Sequence, residues 1–366
     1  MKSLFFIVLA FLLSGISTPC HAAQRQQVEG NWTGGFWLNG NWVAVLVRFN
    51  PGTGDQQSTA NVIFPMFGSQ NSLNVPVANI KQTSAGLHFE IPAPRQGVII
   101  FDGQQKADTI TGNYVYGESK GTFGLTGWAS APPGDLPKYY GAFRVAPDRV
   151  ISVFRGWSYG RTLNYVDYKT GEVGLLWPSS DGKFFAGHGL AISFPVTLNV
   201  SFTGDNAGDI TSLIWQKNGE PEVVAQRIKF KEERITFKNG AVTLAGTLIL
   251  PATEGRHPVV IVTPGDYGTN RDQLRMWAHN FASQNVGALI FDARGGGEST
   301  GQVNSSSFPE LANDVLAGVQ ALKARADVNA KQIGLFGFSN SCFIISLAAS
   351  RSQDVAFLIM LSLIHI

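Results

Sequence analysis

The sequence predicts a multi-domain protein in which two β-rich N-terminal domains precede an incomplete, doubly wound α/β domain with a mostly parallel sheet. Residues 28–130 alternate apolar and polar side chains with a period of two, which is typical of antiparallel strands. A Pro- and Gly-rich linker at 131–135 separates these predicted strands from a second β-rich stretch at 139–230. After the charged segment 229–238, apolar strands alternate with helical segments, which indicates a parallel sheet covered on both faces.

The first β-rich domain is predicted to span residues 24–130. Val43, Val45 and Val47 fall on one face of a strand, and Gly, Asn and Asp separate it from similar runs. The tripeptide Gly-Asn-Trp at 30–32 recurs at 40–42, a spacing that favours a hairpin over a repeat array.

The second β-rich domain is predicted to span residues 137–230. Its clearest strands are the apolar runs 150–154 and 196–202.

The α/β domain is predicted to span residues 233–360. Its strands are expected at 242–250, 258–262, 288–291, 333–336 and 355–360, and its helices at 273–284, 309–326 and 341–349.

The first 23 residues are predicted to be a secretory signal peptide. Lys2 supplies a positive start, an apolar run follows from Leu4 to Leu13, and small residues surround Cys20. A lipid anchor on Cys20 is the alternative, which Pro19 disfavours. No later apolar run reaches membrane-spanning length, so we expect an exported protein, secreted or periplasmic, with no membrane span. We also expect no disulfide at Cys342.

The charge balance excludes some classes of partner. The chain has 366 residues with 28 basic and 26 acidic side chains, a formal net charge of +2. A polybasic nucleic-acid binder would need a much larger positive excess, so no nucleic-acid partner is expected. With 25 Phe and 8 Trp, the chain has the apolar side chains needed to build packed cores.

The most informative motif is Gly-Phe-Ser-Asn-Ser at 337–341, which lies directly between a predicted strand and a predicted helix. A sharp turn there lifts the Ser339 hydroxyl above the edge of the sheet, as in a nucleophile elbow. The following helix directs its N–H groups toward developing negative charge, so the Asn340 N–H is a predicted oxyanion donor. The motif departs from the usual pattern at its last position, where Ser341 replaces Gly.

Two further loops follow predicted strands. The segment Thr263–Gly268 ends a strand before a helix, where a second oxyanion N–H is expected from Asp266 or Tyr267. The loop 292–299 is rich in Gly but lacks the Gly-Lys-Ser/Thr of a phosphate loop, so a tight turn beside the active site is preferred over nucleotide binding.

Taken together, these motifs make residues 233–360 resemble the N-terminal half of an α/β-hydrolase of the secreted esterase or acyl-peptidase type. The resemblance covers Leu250-Pro251, the Gly265 loop with Arg271-Asp272, the run from Asp292 and the elbow at Ser339. It implies a serine nucleophile followed along the chain by an acid and then a histidine. The β-rich region is similar, more loosely, to accessory domains placed ahead of such hydrolases.

The sequence departs from that family after the elbow. The acid after Ser339 is Asp354, which precedes the last strand, and the histidine is His365, next to the last residue. His257 and His279 precede the nucleophile, the wrong order for this fold. Residues 361–366 resemble the in-frame translation of a sequencing-library adapter, so we expect a C-terminally truncated chain with an incomplete triad.

The sequence therefore predicts an exported serine hydrolase acting on an ester or amide bond of a small-molecule or peptide acyl substrate, inactive in truncated form. No cofactor and no metal are expected, since His, Cys and Asp residues are not clustered at ligand spacing. The alternative is a non-catalytic ligand-binding protein whose β-rich domains use exposed tryptophans. That alternative needs exposure of the side chains of Trp32, Trp37, Trp42 and Trp128.

Overall fold

The computed structural model describes residues 28–52, 58–64, 73–83, 86–93, 97–129, 136–155, 162–189, 192–265, 269–302 and 306–361. Within them the backbone forms a nine-stranded sheet, a closed eight-stranded barrel and a six-stranded sheet. This arrangement agrees with the predicted multi-domain, β-rich N-terminal organisation. The limits predicted for the domains stay predictions, and residues 1–23, 131–135 and 362–366 lie outside the described residues.

The N-terminal sheet is antiparallel, with the order β4-β3-β2-β1-β9-β8-β7-β6-β5. Its strands are β1 Gly30–Leu38, β2 Asn41–Asn50, β3 Thr59–Phe64, β4 Leu73–Pro76, β5 Ala78–Thr83, β6 Gly86–Pro92, β7 Val98–Lys106, β8 Thr109–Tyr116 and β9 Ser119–Trp128. Asn39 and Gly40 both have positive φ, so the two Gly-Asn-Trp tripeptides do flank a tight hairpin between β1 and β2.

One face of this sheet forms an aromatic core. Phe89 and Phe101 stack with their ring centroids 4.8 Å apart, and Phe36 and Phe123 approach Phe101 edge-on. Because neighbouring residues of a strand point to opposite faces, the period-two pattern places these apolar rings together and leaves polar side chains outside.

The barrel is closed by pairing of its first and last strands, with Phe143 of β10 opposite Arg227 of β17. Its strands are β10 Gly141–Ala146, β11 Arg149–Arg155, β12 Leu163–Asp167, β13 Val173–Pro178, β14 Phe184–Ala186, β15 Leu198–Gly204, β16 Ile210–Lys217 and β17 Val223–Arg227. Among the described strands of the barrel, closure leaves no free edge.

The C-terminal sheet has the order β18-β19-β21-β20-β22-β23. Its strands are β18 Phe230–Asn239, β19 Val242–Pro251, β20 His257–Val262, β21 Gly287–Phe291, β22 Val328–Phe338 and β23 Phe357–Leu361, and its helices are α1 Arg275–Ser283, α2 Phe308–Lys323 and α3 Ser341–Ser350. Strands β21, β20, β22 and β23 run parallel, whereas β18 and β19 pair antiparallel at one side.

Helices cover both faces of this sheet. In β20, Val259 and Ile261 belong to the core shared with α2 and α3, while Val260 and Val262 belong to the core shared with α1. Strands buried on both faces need continuous apolar sequence, which is the pattern of 258–262.

The barrel packs directly on the α/β sheet through β11 and α1. The Ser152 hydroxyl of β11 lies 2.7 Å from His279 Nδ1 of α1, and both residues are fully buried. The Tyr168 hydroxyl donates to the Met276 carbonyl, and Phe154 packs against Met276. Because α1 covers the outer face of β11, Val150 to Phe154 are all buried instead of alternating between buried and exposed.

The barrel also packs on the N-terminal sheet. The Phe194 ring lies against the backbone of Gly124, where a Cβ atom would come within 2.0 Å of the ring. The hydroxyls of Thr33 and Ser193 are buried 3.0 Å apart, and Trp128 meets Trp177 edge-on at 5.5 Å. Gly124 is therefore required for this close approach.

Among the described residues, no helix is both long and apolar enough to cross a membrane.

The contact between barrel and α1 predicts a pH-dependent stability. Burial, with the nearby Arg275 and Arg227, lowers the pKa of His279 well below its ordinary value. The unfolded chain therefore binds a proton that the folded protein does not, and stability falls as the pH drops below about 6.5. Calorimetric unfolding between pH 7.5 and 5 measures this dependence, with His279→Gln as the comparison because Gln keeps a polar partner for Ser152.

We expect the wild-type protein to lose up to about 1.4 kcal/mol more per pH unit than His279→Gln over this range. Equal pH slopes for the two proteins would contradict a neutral, buried His279.

Candidate active site

The candidate site lies at the carboxyl edge of the parallel strands, where three connecting loops meet. Thr263–Gly265 follow β20, Asp292 and the loop after it follow β21, and Ser339 follows β22. In open α/β sheets this edge is where ligands bind, because the strand ends and the helix N-termini converge there.

Ser339 occupies a strained turn between β22 and α3. Its φ is 56°, a left-handed conformation that costs an L-residue other than Gly about 1–2 kcal/mol. The Ser339 N–H donates to the Leu361 carbonyl at 3.0 Å, and its carbonyl accepts from the Cys342 N–H at 3.0 Å. These two bonds hold the backbone on both sides of the side chain, which is half-buried at the edge of the sheet.

Ser341 replaces the usual Gly of the elbow and stabilises the turn. Its buried hydroxyl accepts from the Phe338 N–H at 2.7 Å and lies 2.8 Å from the Phe338 carbonyl, to which it donates. A Cβ atom on Gly337 would lie 2.9 Å from the Cys342 nitrogen, so Gly is needed there. The departure from the motif thus gives the turn a hydrogen-bonded brace.

Asn340 is the N-cap of α3, with φ −56° and ψ −31°. N–H groups at a helix N-terminus lack intrahelical partners and carry partial positive charge, so they suit an oxyanion. Asp266 and Tyr267, the other predicted donors, lie outside the described residues; the structure describes their loop as far as Gly265.

The Gly-rich loop after β21 is held by a buried carboxylate. Asp292 is fully buried and accepts from the Arg271 guanidinium at 2.5 Å, from the Arg271 N–H at 2.8 Å and from the Glu298 N–H at 3.0 Å. A Cβ atom on Gly297 would lie 2.3 Å from this carboxylate. Arg271 also pairs with Glu298 at 2.8 Å, and these two acids raise the pKa of its guanidinium against the effect of burial.

A second ion pair connects the same loop to α2. Arg294 Nε donates to Asp314 Oδ2 at 2.7 Å and Arg294 Nη2 to Asp314 Oδ1 at 2.6 Å, a bidentate pair that is almost fully buried. The Asp314 carboxylate also accepts from Asn239 Nδ2 at 2.7 Å. The ion pair therefore fixes the loop to α2.

None of His257, His279 and Asp354 completes a triad with Ser339. His257 lies at the amino end of β20, opposite the elbow, with Nε2 3.0 Å from the Thr253 carbonyl. His279 is buried against the barrel. Asp354 precedes β23 and pairs with Lys323 at 2.7 Å. His365 lies outside the described residues.

The four tryptophans required by the ligand-binding alternative differ in exposure. Trp37 is 57% exposed and Trp32 only 4%, while Trp42 and Trp128 are half-buried in edge-on contacts with Trp37 and Trp177. One of the four is fully buried, two are half-buried and one is exposed, so the ligand-binding alternative stays open. Within the described ranges, no group of three or more His, Cys, Asp and Glu side chains could hold a metal ion.

Sequence reasoning proposed Ser339 and the loops as candidates and did not predict the two ion pairs beside them. Arg271 and Asp292 are 21 residues apart, and Arg294 and Asp314 are 20 apart, so neither pair has a local signal. The sequence contained one indication of these pairs, namely charged residues that directly follow apolar strands. A carboxylate or guanidinium at such a position is buried, unless the strand ends early.

One protein family matches the α/β part of the chain. The X-Pro dipeptidyl-peptidase family (S15) matches residues 239–365, about a third of the chain. The match begins at the end of β18 and includes the elbow and both loops at the carboxyl edge. It supports a hydrolase of the α/β superfamily for this part of the protein. No curated protein matches the chain.

Several solved structures are similar over the same part. An alpha/beta hydrolase from Penicillium sp. sh18 is 29% identical over 36% of this chain and 45% of its own, with a TM-score of 0.33. An esterase from Pyrococcus furiosus is 24% identical over 34% and 49%, with a TM-score of 0.31. A dienelactone hydrolase from Anabaena variabilis is 21% identical over 36% and 62%, also with a TM-score of 0.31. The chain spans less than two thirds of each of these structures.

The strained backbone at Ser339 predicts a substitution that stabilises the fold. Replacing Ser339 by Gly relieves about 1–2 kcal/mol of strain and costs about 0.5–1 kcal/mol of chain entropy, so we expect a net gain near 0.5 kcal/mol. Ala107, with φ 51° in the turn between β7 and β8, is a matched control remote from the site. Denaturant unfolding of Ser339→Gly and Ala107→Gly measures both gains.

Destabilisation by Ser339→Gly, with stabilisation by Ala107→Gly, would show that the Ser339 side chain supports the fold and that its backbone is not strained.

Proposed function

We propose that the protein is an exported serine hydrolase that cleaves an ester or amide bond of an acyl substrate, with Ser339 as the nucleophile. The observation that carries the proposal is the φ of 56° at Ser339, between β22 and the N-terminus of α3. A strained residue held by its surroundings at a strand-to-helix turn is characteristic of a functional position. The hydrolase family match over the same residues supports the reaction class.

In the proposed reaction, the Ser339 hydroxyl attacks the substrate carbonyl carbon and a base accepts its proton. The Asn340 N–H and an N–H from Asp266 or Tyr267 bind the oxyanion of the tetrahedral intermediate. Collapse of this intermediate expels the alcohol or amine, which takes the proton back from the base, and leaves an acyl-Ser339 ester. Water then hydrolyses that ester by the same two steps.

Ser339 needs a base, because an unassisted serine hydroxyl is a poor nucleophile. His257, His279 and Asp354 have other partners, so we propose that the acid and the histidine are supplied by chain that follows Leu361. This proposal keeps the order nucleophile, acid, histidine implied by the resemblance. The apolar edge at β23, where Phe357, Met360 and Leu361 are more than a third exposed, is where further strands would pair.

The proposed substrate is a small molecule or a peptide that carries an acyl group, and no cofactor is required for this chemistry. The N-terminal 23 residues support export, so the proposed place of action is outside the cytoplasm. The barrel packs against the catalytic part through α1, and the N-terminal sheet packs on the barrel at Gly124. The proposed role of these two β-rich units is to support the catalytic part and to shape access to it.

The proposal predicts covalent labelling of the protein with its complete C-terminal sequence. A fluorophosphonate should label the wild-type protein, and Ser339→Ala should abolish labelling and lower esterase kcat by at least about 10⁴-fold. Ser346→Ala is the matched control, because Ser346 lies on the same helix and its hydroxyl donates to the Cys342 carbonyl within α3. This control should keep full labelling.

Undiminished labelling of Ser339→Ala would place the nucleophile on another residue and overturn the proposal.

A further inference from the structure

A row of side chains crosses the outer face of the N-terminal sheet, opposite the aromatic core. Successive residues of a strand point to opposite faces, so Asp102 lies outside next to the core residue Phe101, and Asn113 lies outside next to Tyr114. The pairing of the strands brings six such residues side by side from β2 to β6. They are Trp42, Trp37, Thr122, Asn113, Asp102 and His88, which form the Trp37 row.

The Trp37 row is continuous and long. Phe36 pairs with Phe123, which makes Trp37 and Thr122 neighbours across β1 and β9. Strands β1, β9, β8, β7 and β6 are consecutive in the sheet. Four steps of about 4.8 Å place His88 about 19 Å from Trp37. Each of these strands is paired on both sides, so this face offers side chains and not backbone groups to a ligand.

Two tryptophans form one end of the row. Trp37 is 57% exposed, although a tryptophan side chain is on average highly buried. Trp42 packs on the backbone of Gly35, where a Cβ atom would lie 2.8 Å from its ring, and it meets Trp37 edge-on at 5.6 Å. An exposed ring that is supported by a second ring suits the apolar side of a ligand.

The other end of the row is polar. The side chains of Thr122, Asn113 and Asp102 are exposed. His88 Nδ1 lies 2.7 Å from Asp102 Oδ1, a contact that orients the carboxylate. A cavity in this face is lined by Asn113, Asp102 and His88 among other residues. The row therefore offers hydroxyl, amide and carboxylate groups, which include both donors and acceptors, next to an aromatic surface.

The charges on this face are balanced. The charged side chains on or next to the row are the basic Lys81 and Lys120 and the acidic Glu90 and Asp102. Two positive and two negative charges give no net attraction for a polyanion or a polycation. The face therefore suits a neutral ligand.

We propose that the Trp37 row binds a neutral polysaccharide. Sugar rings have apolar C–H faces that stack on an aromatic ring, and hydroxyls at their edges that exchange hydrogen bonds with amides and carboxylates. An extended peptide would instead pair with a free strand edge, which this row does not offer. A chain that contacts both Trp37 and His88 extends over about 19 Å, so it contains several sugar units. This binding goes beyond the proposed function and does not involve Ser339.

The test measures binding of the full-length protein to soluble polysaccharides by affinity electrophoresis and calorimetry. The neutral probes are mixed-linkage β-glucan, xylan, glucomannan and starch, and the anionic probes are polygalacturonate and heparin. We expect at least one neutral probe to retard the protein and neither anionic probe to do so. A hexasaccharide of the bound polymer should bind at least about tenfold more tightly than its disaccharide, because only the longer chain reaches both ends of the row.

Variants connect the binding to the row. Trp37→Ala should raise the Kd at least about tenfold, and Asn113→Ala about three- to tenfold. Val224→Ala and Asn61→Ala are the matched controls, because Val224 is 55% exposed on the barrel and Asn61 is exposed on β3, remote from the row. Both controls and Ser339→Ala should bind as tightly as the wild type.

Thermal unfolding provides the readout that a structural role would move. Trp37 and Asn113 are exposed, so both alanine variants should unfold at the temperature of the wild type. A lower unfolding temperature, with an equal loss of affinity in the two control variants, would show a structural role and overturn the inference.

Four other results would overturn the inference. They are the absence of binding to all four neutral probes, binding to the anionic probes alone, a Kd that Trp37→Ala leaves unchanged, and equal affinities for the hexasaccharide and the disaccharide. Self-association of the wild type that Trp37→Ala abolishes would show that a second copy of the chain covers the face, and would overturn it as well. The proposed function would stand in each case, because labelling of Ser339 tests it separately.

Discussion

The left-handed backbone at Ser339 is the constraint around which the carboxyl edge of the α/β sheet is arranged. An L-residue adopts this conformation only where neighbouring bonds compensate its cost. Here the Ser341 hydroxyl binds both backbone groups of Phe338, and the Ser339 N–H is held by Leu361 of the next strand. Gly337 lets the first turn of α3 approach the strand. The result is a serine hydroxyl lifted to the edge of the sheet beside the N-terminus of a helix.

The loops around this turn are held by buried ion pairs. Asp292 binds Arg271 at the start of the segment leading into α1, and Arg294 binds Asp314 of α2. Removing one partner of such a pair would leave a buried charge uncompensated, so each pair stabilises the conformation of its loop. Since α1 also carries the contact with the barrel through His279, the positions of the site and of the barrel are coupled through one short helix.

The sequence predicted the type of most elements, because the hydrophobic period differs between antiparallel strands, buried parallel strands and amphipathic helices. It also indicated Ser339, since a small-residue turn between strand and helix is a local signal. Closure of the barrel and the role of Gly124 were not predictable, because both depend on residues distant in the chain. In the sequence Ser341 is a departure from the motif, whereas in the structure its hydroxyl stabilises the turn. The catalytic role of Ser339 and the oxyanion roles of Asn340, Asp266 and Tyr267 remain proposals.

The most direct test of the central claim is to trap the acyl-enzyme of the protein with its complete C-terminal sequence. After rapid acid quenching of a reaction with 4-nitrophenyl butyrate, peptide mass mapping locates the butyryl group. The account predicts a mass increase on the peptide that contains Ser339, with fragment ions that assign it to that residue. Detection of the butyryl group on another residue would contradict Ser339 as the nucleophile. Turnover without a covalent intermediate, under conditions in which deacylation limits the rate, would contradict it as well.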